Sequence, residues 1–165
     1  AARERIDSTT SSSFACDLKK WLEIMETYEQ GRHAYHATPP TDSLLALRKV
    51  MLEMESFGFE KAREAQAELG RRTRALLASK GFAGVAAQGF EAPGVVVCYT
   101  RDPDIQSGKK FAEQGMQIAS GVPLKCDEPT DFRTFRVGLF GLDKLQNVDR
   151  TIATLSGVLD RVLGR

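Results

Sequence analysis

Two hydroxyl side chains lie three residues apart in the segment YHATPP, residues 35–40, directly ahead of an apolar helical pattern. Tyr35 and Thr38 can both donate hydrogen bonds to an oxyanion, and Pro39-Pro40 restrict the backbone that carries them, because proline fixes φ. A helix N-terminus after such a segment offers unpaired N–H groups, so the pattern is suited to binding a phosphate. The alternative is an ordinary loop between helices, in which Tyr35 packs on the core. Taken alone, the segment favours that loop.

The second candidate is an arginine in the apolar strand pattern TFRVGLFG, residues 134–141. Alternation along a strand places Arg136 and Gly138 on one face and the larger apolar side chains on the other. A guanidinium in this position can hold a carboxylate through two parallel hydrogen bonds, and glycine lets a ligand approach the backbone. The alternatives are an ion pair with a structural carboxylate or an edge strand facing water. From the strand pattern alone, these alternatives are favoured.

The other polar residues point to little chemistry. His33 and His36 stand three residues apart, but nothing else in the chain completes a metal site, so no metal is predicted. Lys19 and Lys20 are expected to be solvated, without the apolar surroundings that a Schiff-base lysine needs. There is no GxSxG, P-loop or GxGxxG motif. None of these residues is predicted to be catalytic.

Hydrophobic periodicity and helix-end signals predict the elements that position these residues. They indicate an α+β layer, in which a small, mostly antiparallel sheet has helices on one side. The predicted elements in order are helices over 17–29, from Thr41 or Asp42 to Gly58, and over 60–79, strands over 85–90 and 94–100, a helix from Asp102 or Asp104 to about Gly115, strands over 116–119 and 134–139, and a last helix capped by Asn147.

Length and composition narrow the class of protein. The 165 residues are 42% hydrophobic, which fits one globular domain or one domain with an appended segment. Basic and acidic residues number 23 and 22, so neither nucleic acid nor a membrane surface is predicted as a partner. The three scattered cysteines, Cys16, Cys98 and Cys126, favour a reducing compartment and hence a cytoplasmic protein. The first residues, AARERIDSTTSSS, are no secretory signal and predict a fragment of a longer chain.

The two motifs together resemble a known family. A Tyr-His-x-Thr-x-Pro segment opening a leucine-rich helix, a long glycine-bounded helix, and FRVGLFG before a terminal amphipathic helix are similar to class V pyridoxal-phosphate aminotransferases. The alanine–glyoxylate and serine–pyruvate branch is the most similar. The resemblance extends from about Phe14 to the C-terminus.

This resemblance implies a fold-type-I enzyme that forms a homodimer with its pyridoxal 5'-phosphate sites at the subunit interface. Tyr35 and Thr38 match the family positions that reach across the dimer to the cofactor phosphate of the other subunit. Arg136 matches the arginine that holds the substrate α-carboxylate. The implied reaction moves an amino group between a small amino acid, such as alanine or serine, and a 2-oxo acid.

The resemblance also implies what this chain lacks. The family's Schiff-base lysine lies well upstream of the Tyr-His-x-Thr segment, and nothing here matches it or the phosphate loop of the large domain. Residues 1–40 are therefore predicted to be a remnant of the large domain with an interface loop. Residues 41–165 are predicted to be the small C-terminal α+β domain, including the long linking helix. The fragment alone is expected to be inactive and to need the N-terminal large domain as its partner.

Two functions of other classes stay open. The chain could be a small module that binds an amino acid through Arg136 without catalysis, or a dimerisation domain. Cysteine desulfurases share the implied fold, but Cys126 lacks the small-residue surroundings expected of their catalytic cysteine, so that activity is not favoured.

Overall fold

The computed structural model describes residues 2–38 and 40–164. The chain divides into two compact units, Ala1–Lys49 and Val50–Arg165, and each is described by itself. Among the described residues, no helix is both long enough and apolar enough to cross a lipid bilayer.

The first unit is helical. Helix α1 spans Ala2–Asp7, α2 spans Leu18–Glu29, and α3, Thr41–Phe57, begins in this unit. The carboxylate of Asp17 accepts a hydrogen bond from the backbone N–H of Lys20 at 3.1 Å, so Asp17 is the N-cap of α2, and the helix predicted over 17–29 begins where the sequence indicated. The chain leaves α2 through Gly31, whose φ of 71° is in the left-handed region that glycine tolerates.

The start of α3 differs from the prediction. Thr41 and Asp42 were the expected caps, but Thr41 is already the first helical residue. The carbonyl of Pro40 accepts the first helical hydrogen bond, from Leu44 N at 3.0 Å, so Pro40 itself occupies the cap position. Proline suits this position because the backbone N–H that it lacks would have no partner within the helix.

The second unit contains the long helix α4, Phe59–Ser79. Gly58 separates α3 from α4 with a φ of 96°, and the chain leaves α4 through Lys80 and Gly81, whose φ is 93°. Both predicted boundaries are confirmed. The buried side chains of α4 recur at helical spacing and define the face that covers the sheet: Ala62, Leu69, Thr73 and Leu77.

The sheet has three antiparallel strands in the order β1-β3-β2. They are β1, Val95–Tyr99, β2, Ala119–Ser120, and β3, Thr134–Gly138. Arg136 on β3 lies opposite Val97 of β1 and Ala119 of β2. The strand that carries the candidate arginine is therefore the central one.

One predicted strand does not form. Residues 85–90 were expected to be extended, but the chain touches the outer edge of β1 only through a bridge between Gly84 and Cys98 and flanking backbone hydrogen bonds. It then turns at Gly89, where φ is 88° and Phe90 N donates to Ala87 O. The turn prevents further pairing, and Phe90 is 85% exposed instead of packing on the sheet.

The predicted helix between residues 102 and 115 is two short helices, α5, Pro103–Gln106, and α6, Lys109–Glu113. Gly108 separates them with a φ of 81°. Asp102 is the N-cap of α5 and accepts from the N–H groups of Asp104 and Ile105, which agrees with the predicted start.

The chain ends in a short helix α7, Leu142–Leu145, which the sequence pattern did not predict, and in α8, Val148–Val162. Asn147 caps α8 by accepting from Arg150 N at 2.9 Å, as predicted. Helix α8 packs against α4, and its buried residues close the core: Leu155, Val158, Leu159 and Val162.

The core lies between the helices and one face of the sheet. Val96, Cys98, Phe135 and Val137 alternate along the strands and are all buried on that face. The predicted fold class, a small antiparallel sheet with helices on one side, is therefore confirmed. The opposite sheet face carries Arg136.

Candidate functional site

The hydroxyl groups of Tyr35 and Thr38 lie close together. Their oxygen atoms, Oη and Oγ1, are 3.3 Å apart. Both residues are exposed, and Tyr35 retains 70% of its accessible surface, so it does not pack on a core as the ordinary loop would require. Pro39, which was expected to stiffen this segment, lies outside the described residues.

His36 connects this segment to the residues that precede α2. Its Nε2 lies 3.2 Å from the carbonyl oxygen of Phe14, and its ring centroid lies 4.3 Å from that of Phe14. The ring of Trp21 packs edge-to-face on the ring of His36, with the ring centroids 5.2 Å apart. The Nε1 of Trp21 donates a hydrogen bond to the carbonyl oxygen of Ala15. His36 is therefore a structural residue that supports the backbone between Tyr35 and Thr38. Sequence reasoning missed this role because Phe14 lies 22 residues away.

The other histidine has no ligand geometry. The ring of His33 packs edge-to-face on Tyr28 at 5.8 Å. Within the described ranges, no three histidine, cysteine, aspartate or glutamate side chains are grouped so that they could hold a metal ion.

Arg136 lies in the second unit, half-buried on the central strand and on the sheet face opposite the helices of that unit. Its Nε donates to the carbonyl oxygen of Ser120 at 2.9 Å. Among the described residues of this unit, none offers Arg136 a carboxylate at ion-pair distance. The edge-strand alternative is wrong, because β3 is the central strand, and the described residues of this unit show no structural counter-ion for the guanidinium.

The surroundings of Arg136 are small and apolar. Val97 and Ala119 lie on either side of it in the sheet register, and Gly138 lies two residues further along the same face. A Cβ at Gly138 would make only an ordinary contact, 3.8 Å from the ring of Phe140. This part of the sheet therefore gives a carboxylate access to the guanidinium across an apolar surface.

The loop between β2 and β3 holds one carboxylate by backbone hydrogen bonds. The two carboxylate oxygens of Glu128 accept from Lys125 N at 2.9 Å and from Cys126 N at 2.8 Å. These backbone hydrogen bonds stabilise the charged form and lower the pKa of Glu128 to about 2. Lys125 and Asp127 in the same loop have positive φ values of 57° and 62°, in the left-handed region.

The buried cysteine is not activated as a nucleophile. Cys98 is buried in the core, and burial raises the pKa of its thiol to about 11, so it stays protonated at neutral pH. Cys16 and Cys126 are exposed and reduced. The structure thus brings Tyr35 and Thr38 together in the first unit and places Arg136 in the second.

Comparison with known proteins identifies the fold. No protein-family model matches the chain, and no curated protein matches it by sequence. The chain is similar to the crystal structure of an alanine–glyoxylate aminotransferase from Nostoc sp., with a TM-score of 0.71 and 16% identity over 94% of this chain and 39% of that one. It is also similar to an aspartate aminotransferase of subgroup IV from Thermus thermophilus, with a TM-score of 0.61 and 19% identity over 93% of this chain and 41% of that one.

The chain thus spans about two fifths of the length of each of these enzymes. At such identities the likeness concerns the fold, and at this level the resemblance seen in the sequence is confirmed. The chain has the fold of the C-terminal part of these aminotransferases, a small antiparallel sheet with helices on one side.

Proposed function

We propose that this chain is the C-terminal part of a pyridoxal-phosphate-dependent aminotransferase that moves an amino group between a small amino acid and a 2-oxo acid. The observation that carries the proposal is Arg136, a guanidinium without a carboxylate partner among the described residues of its unit, on the sheet face opposite the core of a fold shared with two aminotransferases. An arginine matches a carboxylate because its planar fork can donate two parallel hydrogen bonds.

The hydroxyl pair of the first unit fits the phosphate of this cofactor. Tyr35 and Thr38 place two hydrogen-bonded hydroxyl oxygens 3.3 Å apart on an exposed segment, so both can donate to oxygens of one phosphate group when the bond between them opens. His36 holds the backbone between them through its contacts with Phe14 and Trp21. When bound, pyridoxal phosphate supplies the electron sink for transamination.

The chain's own residues would then bind and orient. Tyr35 and Thr38 would hold the phosphate in the site of the other subunit of a homodimer. Arg136 would fix the α-carboxylate and thereby orient the bond that is broken at the α-carbon. The lysine that exchanges the proton would come from the N-terminal large domain, so this chain alone would be inactive. We place the complete enzyme in the cytoplasm.

The experiment measures binding of pyridoxal phosphate to the complete protein through its visible absorbance. Tyr35→Phe and Thr38→Val should each weaken binding, because each removes one hydrogen bond to a charged phosphate. Such a bond is worth about 1.5–3 kcal/mol, which corresponds to about 10- to 150-fold in Kd.

Tyr28→Phe is the matched control, since it removes the same hydroxyl from an exposed tyrosine on α2 outside the pair. It should leave the Kd unchanged. The proposal fails if the complete protein binds no pyridoxal phosphate, or if Tyr28→Phe and Tyr35→Phe change the Kd equally. If the complete protein binds amino acids through Arg136 but no pyridoxal phosphate, it is instead the amino-acid-binding module without catalysis.

A further inference from the structure

The guanidinium of Arg136 is held at one edge by the backbone of β2, a strand of two residues. Its Nε donates to Ser120 O at 2.9 Å, while Ala119 pairs directly with Arg136 in the register. The described residues of this unit make no other hydrogen bond to the side chain of Arg136, whose backbone pairs with β1 and β2. The atoms Nη1 and Nη2 therefore retain their donors on the open face of the sheet.

A guanidinium can bind a carboxylate bidentately at either of two edges. The side edge uses Nε and one Nη atom, and the end edge uses Nη1 and Nη2. Because Ser120 O occupies Nε, the side edge cannot supply both donors without breaking that bond. The end edge has both donors available.

We infer that β2 is a positioning element, which orients Arg136 through the carbonyl of Ser120 so that it binds a carboxylate end-on through Nη1 and Nη2. This rests on the proposed function for the identity of the carboxylate as that of an amino acid. Ser120 acts through its backbone and touches Arg136 only, so it is a positioning residue.

Gly121 is what allows β2 to lie close enough to β3. A Cβ at position 121 would overlap the backbone carbonyl of Thr134, and its nearest neighbours would all be atoms of Thr134. Thr134 is buried and belongs to the central strand, whereas β2 is an exposed edge strand of two residues. Any side chain at position 121 should therefore displace β2 and carry the carbonyl of Ser120 away from Arg136.

The test uses nuclear magnetic resonance of the full chain, observing the arginine Nε–Hε groups, with Arg136→Lys to assign the signal. In the unaltered chain, Arg136 Hε should exchange with solvent about tenfold more slowly than arginine Nε–H groups without an acceptor, as expected for one charge-assisted hydrogen bond. Gly121→Ala should abolish that protection.

Gly84→Ala is the matched control. Gly84 also pairs with an edge of this sheet, opposite Cys98, but a Cβ there would meet no atom within 4 Å. It should leave the Arg136 signal unchanged. The inference is overturned if Gly121→Ala and Gly84→Ala act alike. If Gly121→Ala does not fold, the exchange rate in the unaltered chain still decides, since an unprotected Arg136 Hε also overturns the inference.

Titration with acetate separates this inference from the proposed function. Acetate should shift the Nη signals of Arg136 while Hε stays protected, whereas ethylammonium, which lacks a carboxylate, should shift neither. Loss of Hε protection on adding acetate would mean side-on binding and would refute the inference. If acetate binds end-on as expected and the complete protein shows no transamination, the proposed function alone fails.

Discussion

Replacing Arg136 by lysine in the complete enzyme tests the chemistry that the open sheet face supports. Lysine keeps the positive charge, so long-range attraction of an anionic substrate should survive. The planar fork is lost, together with the Nε bond to Ser120 O that orients it. The ammonium group is a point charge on a flexible stem and can replace at most one of the two parallel hydrogen bonds.

The expected magnitude follows from this loss. One hydrogen bond to a charged group is worth about 1.5–3 kcal/mol, so kcat/KM for alanine should fall by about 10- to 150-fold. If the carboxylate is held equally in the ground state and the transition state, KM rises and kcat is retained. If the carboxylate contact also orients the α-carbon bond for cleavage, kcat falls as well.

The assay compares alanine with ethylamine, a matched amine that lacks the carboxylate. The variant should lose activity toward alanine and retain its much lower activity toward ethylamine. Arg133→Lys is the control, because it makes the same replacement just before β3, at a side chain that donates to Arg101 O. The affinity of the Arg136→Lys enzyme for pyridoxal phosphate should equal that of the unaltered enzyme.

An equal loss on alanine and ethylamine would refute the reasoning, because it would show that Arg136 supports the sheet and does not bind the carboxylate. A comparable loss in Arg133→Lys would lead to the same conclusion.

Two further predictions concern the second unit alone. The hydroxyl of Thr73 is fully buried and has no hydrogen-bond partner among the described residues, so Thr73→Val should raise the free energy of unfolding by about 1–2 kcal/mol in a urea titration. The hydroxyl of Thr151 lies within hydrogen-bond distance of two carbonyl groups, so Thr151→Val should lower the free energy of unfolding by about 1 kcal/mol. Changes in this free energy of the same sign for both variants would contradict the assignment. The hydrogen bond from Lys110 lowers the pKa of Asp102. The stability that this carboxylate adds to the fold is therefore fully present above the ordinary aspartate pKa of about 3.9, and it is lost as the pH falls through the lowered pKa. Asp102→Asn should therefore reduce the dependence of Tm on pH in acid, and an unchanged Tm profile would argue against the pair.

The helix ends could be read from the sequence because their signals are local. The caps at Asp17 and Asn147 each bond a backbone N–H three residues away, so the residues that define the boundary are neighbours in the chain. The helix ends at Gly58 and Gly81 were predictable for a similar reason. A positive φ is accessible to glycine because it has no side chain, which is a property of that residue alone. The face of the sheet that the helices cover could also be predicted, because side chains along a strand alternate between the two faces.

Pairing between strands was harder to predict, because it depends on which distant segment supplies the partner. The expected strand over 85–90 has suitable residues, yet the edge of β1 takes only a bridge at Gly84 before the chain turns. The single helix expected between residues 102 and 115 is divided at Gly108. A Cβ at this position would lie close to Ile118, which belongs to a later segment. Neither contact can be read from the local pattern.

For the candidate site, the sequence by itself identified the side chains and left their surroundings open. It singled out Tyr35, Thr38 and Arg136 by type and spacing, and the family resemblance supplied their expected roles. Only the tertiary structure decided that Arg136 lies on a central strand, with no carboxylate partner among the described residues of its unit. It also decided that the Nε of Arg136 donates a hydrogen bond to the carbonyl of Ser120, 16 residues earlier in the chain. A partner so far away is set by the pairing of β2 with β3, and that pairing requires a glycine at position 121 because no side chain fits against Thr134.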